Sequence, residues 1–435
     1  MKNLLISLFS VGFSKVLSAF SGLALTILVT NTLSAEDAGY FLFIVTLSFV
    51  LSVIYRQGSD NLILREFNLL EDNEKVKFAT TLWSRILAIS IIFSLFYWFL
   101  RLTFLDISFS RYIYSIDYLS IFIIPLTLLN FIGFIFQSKS KFIMASFCQT
   151  FAVNIIFIIC VLIISFLSHE VELKYYYYFY ILSTIISLTF AIYILKKSNV
   201  KFNLDNYSFR LRKDSETTRV IFYQSTLLGL VVQWGIYFIS VLFLNPSEIA
   251  VLSACNRFAF VLGFILTIVN TVSIPLFVKE IKKGANNSLR EIACSFSFIL
   301  ASVTLPLIII LFIYSKELIG IFGEHYEEYF LILQILLLGQ LGNVLTGSVG
   351  YLLNLSGNEK DVRQVSIIVT LFILVSAFPS AHYGGLIGVS IAISLSILLQ
   401  NLSLFVFVRY RLGFWLVPIL SRKNINTVIK AYRND

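Results

Sequence analysis

The chain has 435 residues, 58% hydrophobic and 13% charged, with a formal net charge of +9 and a mean hydropathy of +0.88. A soluble protein carries roughly a quarter charged residues, so this composition excludes an ordinary soluble enzyme, and 6 prolines and 20 glycines exclude a collagen-like or disordered chain. Long apolar runs in place of short alternating segments exclude a β-barrel, and the positive charge points to membrane topology before nucleic acid.

The stretch from Met1 to Val29 has the basic start and apolar run of a signal peptide. The run, however, continues past Lys15, too long for a signal core, and reads as a first membrane helix. Asn31 to Phe67 follows. Ser34-Ala-Glu-Asp37 is a helix-capping signal, a charge-free apolar run leads to Arg56, and the polar cluster Arg56-Gln-Gly-Ser-Asp60 closes it. A related cap, Asn245-Pro-Ser-Glu248, returns 211 positions later with Pro at the favoured first helical position. The chain therefore reads as one six-helix unit written twice, with Ser34 corresponding to Asn245 and Asp37 to Glu248.

A crossing needs about 20 apolar residues. Runs of that length predict an all-α polytopic membrane protein with about twelve spans, near 5–30, 38–56, 82–104, 118–137, 142–167, 175–195, 220–243, 248–277, 292–314, 329–354, 364–379 and 384–408. The expected organisation is an N-terminal lobe over 1–195, a basic cytoplasmic linker over 196–219, a C-terminal lobe over 220–408 and a cytoplasmic tail over 409–435. With both ends cytoplasmic, 26 of the 33 basic residues fall in cytoplasmic loops and 4 in outer loops. A miscounted helix would invert every later loop and destroy that bias.

Cys148, Cys160, Cys255 and Cys294 lie in apolar segments without metal-ligand spacing and read as packing residues. His169, His325 and His382 fall in outer loops, as does the acidic cluster around Glu324 to Glu328, which reads as a solvated surface. Tyr175 to Tyr178 reads as an interfacial aromatic belt. No phosphate-binding loop, metal-spaced pair or catalytic set occurs, so no cofactor is expected and the chain has no nucleotide site of its own to power transport.

Intramembrane charge remains. A cation at the bilayer centre costs at least about 2.5–3.5 kcal/mol and needs a cavity or a partner. Lys15 shares a helical stripe with Gly12, Ser18, Gly22 and Thr26, consistent with a cavity wall or with close helix packing and a snorkelling lysine. Arg56 and Asp60 are spaced to neutralise each other. Arg65 and Arg85 add cations near the cytoplasmic mouth of the N-terminal half. Arg257 lies nine residues after Glu248, about 13 Å into its span at 1.5 Å per residue. It shares a face with Ser253 and Asn256. A guanidinium there suits bidentate phosphate binding or an acid from another helix.

Leu33-Ser-Ala-Glu-Asp-Ala-Gly-Tyr40, Arg56-Gln-Gly-Ser-Asp60 and Leu64-Arg-Glu66 resemble the polysaccharide (O-antigen type) flippases of the multidrug/oligosaccharidyl-lipid/polysaccharide (MOP) exporter superfamily. Ala254-Cys-Asn-Arg257, Ile274-Pro275-Leu-Phe277, Ile319-Gly-Ile-Phe-Gly323 and Gly347-Ser-Val-Gly-Tyr351 through Asn354-Leu-Ser-Gly-Asn-Glu-Lys360 resemble that family's C-terminal signatures. Where such proteins often carry Gly before the fifth span, this chain has Ser138-Lys139-Ser140. The resemblance implies two pseudo-symmetric lobes around a central cationic cavity. It also implies transport of an undecaprenyl-diphosphate-linked oligosaccharide across the bacterial inner membrane for O-antigen or capsule synthesis. Lys15, Arg56, Arg65, Arg85 and Arg257, with Ser253 and Asn256, would line the substrate path. The implied partners are that lipid-linked substrate, membrane lipids, a coupling ion (H+ or Na+), and the polymerase and chain-length proteins of the pathway; no nucleic acid is expected. A drug/cation antiporter of the same superfamily should have an acidic cavity, and no Asp or Glu lies deep in a predicted span. A glycan polymerase or ligase should have a large outer loop, and the outer loops here are short.

Overall fold

The computed structural model describes residues 2–104, 110–167, 171–197, 211–284 and 286–418. His169, the linker stretch 198–210 and the tail beyond 418 lie outside the described residues. All the described regular structure is helical. The chain divides into two compact units, one spanning Phe13–Leu227 and the other comprising Leu228–Asp435 with Met1–Gly12.

The N-terminal unit is built from α1 (Lys2–Thr32), α2 (Ala35–Tyr55), the short α3 (Ser59–Glu66), α4 (Asp72–Phe104), α5 (Ser110–Ser138), α6 (Phe142–Leu167) and α7 (Leu173–Lys197). Ser34 caps α2 as its sequence predicts, its Oγ accepting from the Asp37 N–H at 3.2 Å. The helix ends at Arg56 because Gln57 and Gly58 take positive φ of 47° and 77°. Helix α5 is the hub and packs against α2, α3, α4, α6 and α7. Helix α6 carries a π-helical turn at Phe147–Phe151.

The tyrosine run divides between lipid and core. Tyr175 and Tyr178, three residues apart on α7, face outward. Tyr176 and Tyr177 are fully buried, donating to Thr32 Oγ1 at 2.7 Å and Ser115 Oγ at 2.8 Å. They stack into a cluster with Phe41, Phe157 and Tyr180. The run is thus half outward-facing and half core, so the expected interface belt can include only Tyr175 and Tyr178. Composition reveals the aromatic content, and helical phase decides which ring goes where.

The second half contains α8 (Lys213–Ser240), α9 (Pro246–Lys282), α10 (Asn286–Ile313), the short α11 (Ser315–Gly320), α12 (Phe330–Thr346) and α13 (Val349–Leu355), followed by a 54-residue helical stretch, Glu359–Leu412. Asn245 caps α9 in a reciprocal box with Glu248, whose carboxylate accepts the Asn245 N–H at 2.9 Å. Helix α8 begins at Lys213, two turns before the expected start of its span.

The last stretch is a hairpin. Gly385 takes φ 54°, ψ −146° and breaks it into α14 (359–384) and α15 (385–412). Asp361 and Arg411 pair at 2.6 Å and 2.9 Å. Fifty residues of straight helix would separate them by about 75 Å, so α14 and α15 run antiparallel. Gly388 turns this corner closely, since a Cβ there would lie 2.4 Å from the Ser380 carbonyl oxygen. Eleven helices are long and apolar enough to cross a membrane among the described residues. Counting the hairpin as two gives twelve crossings, in agreement with the sequence.

The tenth span, expected as unbroken over 329–354, ends at Thr346. Gly347 (φ 67°) interrupts it before α13, and a Cβ there would sit 2.5 Å from Ser297 Oγ. Position 347 therefore demands glycine for conformation and for space alike. Helices α12 and α15 meet almost backbone to backbone, where Cβ atoms at Gly339 and Gly342 would overlap Ser394 and Leu398. Outward faces are apolar, with Phe166 92% and Val375 73% exposed, as lipid requires and water would not tolerate over so large an area.

Candidate functional site

Five helices of the C-terminal unit line a cavity of about 430 Å³. Its polar lining is a set of stripes at helical spacing. Helix α8 contributes Gly229, Gln233 and Tyr237. Helix α9 contributes Asn256, Phe260, Gly263 and Asn270. Helix α12 contributes Gln340 and Asn343, and α15 contributes Ser396, Gln400 and Asn401. Trp234 and Tyr351 add aromatic faces. No lining residue is charged.

Several of these groups are fixed by one another. Asn343 Nδ2 donates to Gln340 Oε1 at 3.2 Å, and Asn401 Nδ2 to the Ile397 carbonyl at 2.9 Å. Ser348, beside the break in the tenth span, donates to Asn270 Oδ1. The ring of Trp234 is wedged edge-on between Tyr237 and Phe260, with centroids 5.9 Å and 5.5 Å away. The signal for this cavity was present in the sequence as single amides and amide pairs on otherwise apolar helices: Gln233, Asn256 and Asn270, Gln340 and Asn343, Gln400 and Asn401. A scan for intramembrane charge passes over them.

Three of the expected site residues lie together on α9. Asn256 opens into the cavity. Ser253 is buried and shares a hydrogen bond of 3.0 Å with the Tyr237 hydroxyl. Arg257 is half-buried and adjoins the cavity through Asn256 in sequence, without lining it. In the N-terminal unit Lys15 is half-buried on α1, and Arg65 is exposed in the last turn of α3.

Arg56 and Arg85 are held in ion pairs: Arg56 with Asp60, as their spacing of four suggests, and Arg85 with Glu216, which its sequence neighbourhood does not suggest. Arg56, 3% exposed, donates through Nε to both Asp60 oxygens at 2.7 Å and 2.9 Å, through Nη1 to Ser52 Oγ, and lies over the Phe134 ring. Burial pushes the Asp60 carboxyl above the usual carboxylate range, and the Arg56 charge pulls it part of the way back. Arg85 makes a two-point contact with Glu216 of α8 at 2.7 Å and 3.1 Å. Glu216 also accepts from Arg219 at 2.6 Å, and Arg219 donates to the Gln57 carbonyl at 2.9 Å. Ser215 donates to Glu66 at 2.6 Å, and Arg212 pairs with Glu74 at 2.5 Å. The first turns of α8 are thus latched to the α2–α4 region by charge-assisted bonds. Gly58 permits the approach, since a Cβ there would lie 2.6 Å from the Arg219 carbonyl oxygen. Arg219 and Glu216 were missed in the sequence because they sit in a stretch that reads as linker.

Among the described residues no group of three or more His, Cys, Asp or Glu side chains is placed to hold a metal ion. His382 stacks on Phe378 and meets Phe243 edge-on. Lys316 lies 3.8 Å from Glu327 in the acidic cluster around Glu324 to Glu328. Cys148, Cys255 and Cys294 are buried free thiols. The start of the tail is anchored, with Leu416 fully buried and the Arg409 guanidinium over the Trp415 ring.

No family model and no curated protein matches the chain. Solved structures do. An inward-facing multidrug resistance MATE family transporter of the MOP superfamily aligns with a TM-score of 0.68 at 17% identity, covering 94% of this chain and 98% of its own. An outward-facing MATE family transporter of the MOP superfamily aligns at 0.61 and 16% identity, covering 94% and 95%. A MOP superfamily transporter from Pyrococcus furiosus, described as having a binding pocket of reverse polarity that suggests a different function, aligns at 0.56 and 14% identity, covering 94% and 95%. At these identities the likeness is one of fold: the chain has the fold of MOP superfamily transporters over nearly its whole length.

Proposed function

We propose that the protein is a flippase that moves an undecaprenyl-diphosphate-linked oligosaccharide from the cytoplasmic to the outer leaflet of the bacterial inner membrane, for O-antigen or capsule synthesis. The observation that carries the reading is Arg257, a half-buried cation well inside a membrane-length helix, next in sequence to a residue that lines a polar cavity. A diphosphate is the part of such a substrate that lipid cannot solvate, and a guanidinium within the membrane lowers the cost of its passage. The flippase-like signatures on both halves of the sequence and the transporter fold support the same reading. Lys15 is the second cation proposed for the substrate path, with Arg65 at its cytoplasmic mouth. Arg56 and Arg85 act first as anchors of the latch. With no nucleotide-binding motif in the chain, alternating access is driven by an H+ or Na+ gradient.

Replacing Arg257 with Ala abolishes surface glycan and leaves the membrane protein level intact. Lys restores display partly, because it keeps the charge and loses the fork geometry. A well-expressed Arg257→Ala protein with full glycan display would remove this residue from the site. Low abundance with normal display per molecule would assign it to a structural ion pair.

The names of the MATE neighbours favour a second reading, a drug/cation antiporter. It predicts ethidium efflux by cells carrying the chain and no accumulation of cytoplasm-facing lipid-linked repeat units when the gene is deleted. An organic cation is held by a carboxylate or by aromatic faces; the C-terminal cavity is lined by aromatic rings and by no carboxylate.

A further inference from the structure

We propose that the cavity of the C-terminal unit is a carbohydrate subsite that takes one or two neutral sugar residues of the cargo. The inference rests on the flippase reading for the identity of the cargo, but the binding itself is independent of transport. Amide side chains are costly in a membrane protein unless they find hydrogen bonds. Here Gln233, Asn256 and Gln400 line one cavity and form no side-chain hydrogen bond with any other described residue. A ligand that both donates and accepts at closely spaced points satisfies them. Sugar hydroxyl and acetamido groups do so, and an amide offers donors and an acceptor in return. A lipid tail would leave these groups unpaired.

The aromatic groups fit the same ligand. A pyranose has an apolar C–H face beside its polar rim, and Trp234, fixed by its neighbours, and Tyr351 supply flat apolar surfaces beside the amides. The lack of charge sets the class. A uronic or sialic acid carboxylate would enter a cavity with no cation in its lining, at the cost of an unpaired buried charge. The volume of about 430 Å³ falls in the range of small-ligand pockets. Glycines keep the space open, since a Cβ at Gly229 or Gly263 would meet nothing within 4 Å.

The test uses the full chain in lipid nanodiscs, with Trp83, Trp98 and Trp415 replaced by Phe so that Trp234 is the only indole among the chain's 4. Its emission is followed during titration with the neutral disaccharides maltose, lactose, mannobiose and diacetylchitobiose, and with digalacturonate as the charged match. At least one neutral disaccharide should give a saturable change, and digalacturonate none. The pair Asn343→Ala and Gln400→Ala should weaken binding about tenfold, the loss expected for one or two hydrogen bonds. Gly263→Phe, which fills the cavity from a position with room for it, should abolish the change. The proposal is overturned if no neutral disaccharide binds, if digalacturonate binds as well, or if undecaprenyl phosphate without sugar gives the same response. Sugar binding by a chain whose deletion leaves lipid-linked repeat units facing outward as before would sink the flippase reading and leave the subsite standing. Glycan display that depends on the chain, with no neutral disaccharide bound, would do the reverse.

Discussion

At the scale of single residues, two backbone positions make opposite demands. Ser140 takes φ 58° in the loop before α6, at the place where the family that the sequence resembles often carries glycine. A left-handed conformation costs an L-residue about 1–2 kcal/mol, while glycine's extra unfolded-state freedom costs about 0.5–1 kcal/mol. Ser140→Gly should therefore raise stability by about 0.5–1 kcal/mol. Gly58 has φ 77° and faces the α8 backbone with no room for a methyl group, so Gly58→Ala adds overlap to the dihedral cost and should lower stability by about 2–5 kcal/mol. Thermal unfolding of the purified protein in one detergent measures both. Equal signs for the two variants would contradict the described backbone. The same scale explains why the charged residues were only half legible. The Arg56–Asp60 pair was visible from its spacing of four. The Arg85–Glu216 pair joins residues 131 positions apart, and nothing local in the sequence announces it.

At the scale of elements, apolar length and capping chemistry were enough to locate the helices, and both predicted caps form. The sequence also placed the last two spans correctly, because the polar and small residues around Ser380 to Gly385 interrupt the apolar run. The break at Gly347 was not legible. A glycine inside an apolar helix is common, and only its positive φ and the nearness of Ser297 from a distant helix, which leaves no room for a side chain, mark position 347 as a break. The amides of the cavity stayed hidden for a related reason: each helix contributes only one or two, and their convergence is a property of the packed unit. The hairpin offers a direct check. With the four native cysteines replaced, Cys pairs at Asp361 and Arg411 should crosslink with a short bifunctional thiol reagent in native membranes, since their side chains now meet at 2.6 Å. A continuous helix would keep them about 75 Å apart, and failure to crosslink would restore it.

At the scale of the whole molecule, the crossing count and the charge bias constrain each other. Twelve crossings, an even number, return the chain to the side where it began. The charge bias, 26 basic residues against 4 when both ends are placed in the cytoplasm, predicts which side that is, because Lys and Arg in short loops favour the cytoplasm. The pairing of Asp361 with Arg411 adds an independent constraint, since it places the start of α14 and the end of α15 at one level of the C-terminal unit. Each of these residues sits in a segment that the charge count assigns to the cytoplasm, and a single long crossing would have put them on opposite faces. Reporter fusions after Lys197 and after Leu412 should therefore both read cytoplasmic, and one after Tyr314 should read external. An external reading after Leu412 with a cytoplasmic one after Lys197 would mean an odd number of crossings in the second half. The break at Gly385 would then be a kink within one span, and the crosslink between positions 361 and 411 would fail with it. Agreement of all three fusions with the crosslink would leave only topologies in which α14 and α15 each cross the membrane.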